Sequence, residues 1–151
     1  MKLLNFELED PVSTICLSAL GDSWDLHNFP DFNGMIFNPK MGVLILEWIL
    51  SKASDMHGWG NQRNDVKSCR LIFKKLNYLY VTRADDGMPS KESLTLRFMA
   101  KVDPDATGYR YRQEWKTDHF RLLFDFHNDR KIEIGSETVK FEIATMPVLK
   151  W

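Results

Sequence analysis

A mainly β fold is what this sequence predicts: an antiparallel β-sandwich or strongly curved sheet of about ten short strands, with little helix. Three observations carry the prediction. Over residues 119–127 the chain alternates, with Phe120, Leu122, Phe124 and Phe126 on one side and His119, Arg121, Leu123, Asp125 and His127 on the other. Successive side chains of a strand point to opposite faces, so this run is a strand with one wholly apolar face. Residues 92–102 alternate in the same way, with Leu94, Leu96, Phe98, Ala100 and Val102 inward and Thr95, Arg97, Met99 and Lys101 outward. The third observation is composition: ten Phe and five Trp in 151 residues suit a sheet-rich core. That length fits one domain, 1–151, able to bury a core.

Taken in order, Leu4, Phe6 and Leu8 form one face of a first strand that ends at Asp10-Pro11, and residues 14–20 form a second, with Ile15, Leu17 and Ala19 opposite Cys16. Residues 21–33, mixing Asp, Gly and Pro, are expected to be a loop. A short strand at 34–38 precedes a run at 42–50 that is apolar on both faces, the mark of a central, doubly covered strand. Residues 51–67 are polar, with two Gly around Trp59, and are expected to be a long loop. Residues 69–82 form two strands, or one strand with a bulge around Lys74–Asn77. After the strands at 92–102 and 109–116, residues 119–144 are expected to give three antiparallel strands, reversing at 127–130 and again at Gly135-Ser136.

Charge and cysteine usage narrow the function. The net charge of −1 provides no overall basic field for nucleic acid. Residues 1–66 carry a net of −5 and residues 67–151 a net of +4. If the halves interleave in space the asymmetry averages out; if not, the first half steers a basic partner. Cys16 and Cys69 lie in apolar runs without metal-ligand or redox spacing, and residues 42–50, broken by Glu47, are too short to span a bilayer. The start of the chain lacks the apolar core of a signal peptide. A soluble cytoplasmic protein with two free thiols and no cofactor is expected.

Four groups of residues are candidates for chemistry. The first is the face shared by His119, Arg121, Asp125 and His127; a metal would need a third ligand there, and cross-strand ion pairs to Lys131 or Glu133 are the plainer expectation. The second is the pair of loops bearing Trp24, Asp25, His27 and Asp31, and His57 and Trp59. Loop-borne Trp and Asp suit recognition of a partner, while Trp24, Phe29, Phe32 and Trp59 can equally fold back as lids on the core. The third is Tyr109-Arg110-Tyr111-Arg112, whose alternation separates the rings from the cations and so argues against a base-stacking platform. The fourth is Glu47, a buried acid or base, or the partner of an arginine such as Arg70 or Arg97.

Phe32-Asn33-Gly34, Leu46-Glu47-Trp48, Cys69-Arg70-Leu71-Ile72-Phe73 and the closing hairpins together resemble small bacterial immunity-type proteins encoded beside secreted toxins. The resemblance spans about two thirds of the chain as a pattern of strands, and no functional residue carries over with it. It implies a cytoplasmic, non-enzymatic protein that occludes a toxin domain, and the acidic first half suits a basic one. The alternative is a barrel or sandwich whose Phe and Met line a cavity for a small apolar ligand. A third possibility is an enzyme that uses Glu47 or the His57 loop.

Overall fold

The computed structural model describes residues 1–50, 66–83, 95–105, 119–127 and 129–145. The expectations for 51–65 (with His57 and Trp59), for 92–94 and for 109–116 lie outside the described residues. Among those described, the elements are β1 (Lys2–Leu3), β2 (Phe6–Leu8), β3 (Cys16–Ala19), β4 (Asp22–Asp25), β5 (Pro30–Asn38), β6 (Val43–Leu50), β7 (Ser68–Val81), β8 (Leu96–Val102), β9 (Arg121–Phe126) and β10 (Lys131–Ala144). No helix occurs among them, so none is long and apolar enough to cross a membrane.

The strands form two sheets. The larger runs β5-β6-β7-β10-β9-β8 and is antiparallel throughout, with β1 joining β10 in parallel; β2-β3-β4 form a small antiparallel sheet. Three strands separate β5 from β9, yet Phe32 of β5 meets Phe126 of β9 at 4.8 Å between ring centroids. The large sheet is therefore strongly curled. The small sheet packs into the concave side, where Trp24 and Phe6 lie 5.2 and 6.5 Å from Phe141 of β10. Trp48 and Phe73 complete the interior by each contacting Phe124, so these aromatics fill a core.

The run expected to be central and doubly covered is β6, which lies next to the edge strand β5 and is paired on both sides, with Val43, Ile45 and Ile49 only half-buried on its second face. Leu44, Leu46 and Trp48 are fully buried on the core side, and Glu47 is fully buried on the other. The 119–144 stretch holds two strands and not three, because β10 runs straight through Gly135-Ser136. Glycine there answers crowding. A Cβ on Gly135 would lie 2.9 Å from Tyr78 Cβ and 2.5 Å from Asn77 Oδ1. Opposite it, β7 is a single strand, with Asn77 as the extra residue of a bulge.

Two expected faces are corrected. In β8 a bulge places the extra residue Arg97 between the pairs Leu96↔Phe126 and Phe98↔Asp125. One added residue inverts the phase of everything after it. Met99 consequently joins the core, while Ala100 and Val102 are buried outside the main cluster. In β9 the face expected to be solvated is covered as well, for Leu123 and Asp125 are both buried. The first strand also differs from expectation. Leu4 is half exposed, and the Asn5 side chain receives the Phe141 N–H and donates to the Phe141 carbonyl, both at 2.9 Å. An amide side chain thus continues the β1–β10 pairing where the backbone departs into β2.

Candidate functional site

Three carboxylates are buried in the large sheet, and each meets an arginine. Glu47 accepts from Arg70 Nε at 2.8 Å and from Asn33 Nδ2 at 2.8 Å. Asp125 pairs with Arg97 and lies 3.7 Å from Lys131 Nζ. Glu133 accepts from Arg121 Nη1 at 3.0 Å, and that guanidinium covers the Tyr78 ring at 3.5 Å. Asn33 and Arg97 are the extra residues of the β5 and β8 bulges. Bulges re-aim a side chain, and here two of them turn a hydrogen-bond donor onto a buried carboxylate. Removing such a partner leaves an uncompensated charge, so these pairs hold the fold in register.

The segments Phe32-Asn33-Gly34, Leu46-Glu47-Trp48 and Cys69-Arg70-Leu71 converge at this point. Phe32, Trp48 and Cys69 occupy one cross-strand row, and Gly34, Glu47 and Arg70 the next. They form one structural node across β5, β6 and β7. Burial pushes the Cys69 thiol well above its ordinary range, the Glu47 charge adds to this, and Arg70 opposes it.

The expected loop at 21–33 is a correction, since most of it is strand. Residues 22–25 form β4 and β5 begins at Pro30. Trp24, expected either on a recognition loop or folded back as a lid on the core, is the lid: it is buried, and its Nε1–H donates to the Ala19 carbonyl at 2.8 Å. Asp25 is half-buried and accepts from the His27 and Asn28 N–H groups, each at 2.8 Å, which closes a turn. His27 is half-buried, with Nδ1 against the Leu96 carbonyl and its ring 5.4 Å from that of His127. Asp31 sits apart on β5, opposite Ile49 of β6. The structure thus joins Asp25 to His27 and the His27 ring to that of His127, turns Trp24 inward and separates Asp31. His119 pairs with Asp105 at 2.9 Å. Among the described residues no three His, Cys, Asp or Glu side chains converge to hold a metal ion.

A different surface gathers the acidic charge. From Leu3 to Pro39 the sequence has six carboxylates, Glu7, Glu9, Asp10, Asp22, Asp25 and Asp31, and no Lys or Arg. The small sheet concentrates this segment. Phe6, Leu8, Leu17, Ala19 and Trp24 are buried beneath it, and Glu7, Ser18 and Ser23 share an outer row. Beside that row lie Cys16 and Asp25, with Glu9 accepting from Ser18 Oγ at 3.3 Å. The Cys16 thiol sits above its ordinary range, chiefly through burial, and the Asp25 and Glu9 carboxylates push it further against a hydrogen bond with Ser23. At one end of the sheet Leu4 and Leu20 stand exposed beside a cleft of about 650 Å³ that Glu7 and Asp22 also line. Sequence reasoning passed over Glu7, Glu9, Leu4 and Leu20 as individuals. The gap in cations between Lys2 and Lys40 was the signal that could have found them.

Neither a family model, nor a curated protein, nor a solved structure matches this chain.

Proposed function

We propose that this protein binds a basic protein partner through the acidic outer layer formed by β2, β3 and β4, in the manner of an immunity-type protein that occludes a toxin. The observation that carries the reading is the cation-free stretch from Leu3 to Pro39, whose carboxylates Glu7, Glu9 and Asp25 share the outer face of one small sheet. Like charges gathered on one face raise the encounter rate with an oppositely charged surface and disfavour wrong partners. Opposite signs in the large sheet are consumed internally as arginine–carboxylate pairs. A cytoplasmic setting fits this role, with Cys16 and Cys69 as free thiols.

The test is a pull-down from native lysate with the tagged chain, followed by identification of what is retained and assay of its activity with and without the chain. A stoichiometric basic protein that loses activity when bound, and is released as salt rises toward about 0.5 M, is the expected result. A partner whose retention ignores salt contradicts the reading.

A further inference from the structure

We infer that the cleft between the β1–β2 segment and the β3–β4 turn anchors an arginine- or lysine-bearing segment of that protein partner. The aliphatic stem of the basic side chain lies between Leu4 and Leu20, and its cationic head reaches Glu7 on the outer face. This rests on the basic-partner function above and adds the place and chemistry of the anchor.

Four features of the cleft carry the inference. Its volume, about 650 Å³, falls in the roughly 300–1,000 Å³ span of sites that hold peptide-sized or drug-sized ligands. Its lining, drawn from residues 3–7 and 18–23, includes two carboxylates and no Lys, Arg or His. Leu4 and Leu20 are 50% and 46% exposed. Isolated exposed leucines are ordinary, but two beside the same acidic cleft form an apolar clamp with polar ends. Finally, Leu20 and Gly21 are the whole of the β3–β4 turn, both at positive φ, 55° and 83°. Turns with two positive φ values favour Asn-Gly or Asp-Gly, because a branched apolar residue is strained in the left-handed region. This chain nevertheless holds a leucine there, pointing toward solvent.

Charge and shape together select the occupant. A purely apolar ligand would strip water from Glu7 and Asp22 without replacing it. Nucleic acid brings phosphates to a face that has no cation among the described residues lining the cleft. Arginine and lysine carry a methylene stem and a cationic tip, so a single side chain satisfies both the leucines and the Glu7 carboxylate.

The test is an NMR titration of the isotope-labelled full chain with acetylated hexa-arginine amide. Saturable shifts are expected at the Leu4 and Leu20 methyls and the Glu7, Gly21 and Asp22 amides, weakening as salt rises from about 50 to 500 mM. Leu20→Asn should weaken binding about five- to tenfold through lost apolar contact, with a melting temperature equal to or above that of the parent. Glu7→Gln should weaken it up to about fivefold and flatten the salt dependence. Wild-type affinity in Leu20→Asn overturns the anchor. So do shifts confined to Glu9, Cys16 and Asp25, which would leave the basic-partner function standing. No shift at any peptide concentration removes both.

Discussion

The two sheets treat their carboxylates in opposite ways. In the large sheet Glu47, Asp125 and Glu133 are buried, and each is held by an arginine from a neighbouring strand. In the small sheet Glu7 and Glu9 are exposed on a face to which the sequence contributes no lysine or arginine. Burying a charge is tolerable only with a partner, and truncating that partner is costly. Exposed like charges cost little stability and create a field that reaches about a Debye length into solution. The same residue types are paired internally in one sheet and, in the function proposed above, are left exposed for recognition in the other. Cys69 beside Glu47 and Cys16 beside Asp25 and Glu9 report on the two settings.

Those thiols give the largest expected contrast. Both are raised above the ordinary range, so at pH 8 each has a smaller thiolate fraction than a free cysteine, and the two fractions converge only as pH rises past the range of the raised thiol. Cys69 is fully buried in the node under β6 and β7, so its alkylation should wait for opening of the core. Iodoacetamide kinetics read by mass spectrometry should show Cys16 reacting slowly but directly, and Cys69 slower by about a thousandfold or more. Comparable rates would mean that the large sheet opens as readily as the small one.

Next comes the buried pair itself. Arg70→Ala leaves Glu47 buried with Asn33 as its remaining described donor, and should lower unfolding free energy by about 3–5 kcal/mol in urea denaturation. A loss below about 1 kcal/mol would place Glu47 among ordinary surface ion pairs. A smaller effect is expected at the β7–β10 bulge. Gly135→Ala pushes a methyl against Tyr78 Cβ and should cost about 1–3 kcal/mol by the same measurement.

Much of this architecture was legible in the sequence, and the gaps have physical causes. The two-sided apolar run of β6, the core face of Phe120 to Phe126 and the Glu47–Arg70 partnership follow from periodicity and residue type. What periodicity could not show was a single inserted residue. Asn33, Asn77 and Arg97 each add one position to a strand, and the insertion at Arg97 turned Met99 from an expected outward residue into a core residue. The β3–β4 hairpin escaped for another reason. Its turn is Leu20-Gly21, where leucine reads as continued strand, and β4 is Asp-Ser-Trp-Asp with Trp24 as its one apolar member. The acidic layer was visible as a charge asymmetry between halves of the chain. Its place on one face depended on the register of β2, β3 and β4, which sequence alone does not fix.

The most direct measurement compares the double charge reversal Glu7→Lys with Glu9→Lys against the wild-type chain, for melting temperature and for partner retention together. Both residues are exposed, so stability should move by less than about 0.5 kcal/mol while retention of the basic partner is lost. Retention equal to wild type, at equal melting temperature, would contradict the assignment of the small sheet as the working surface.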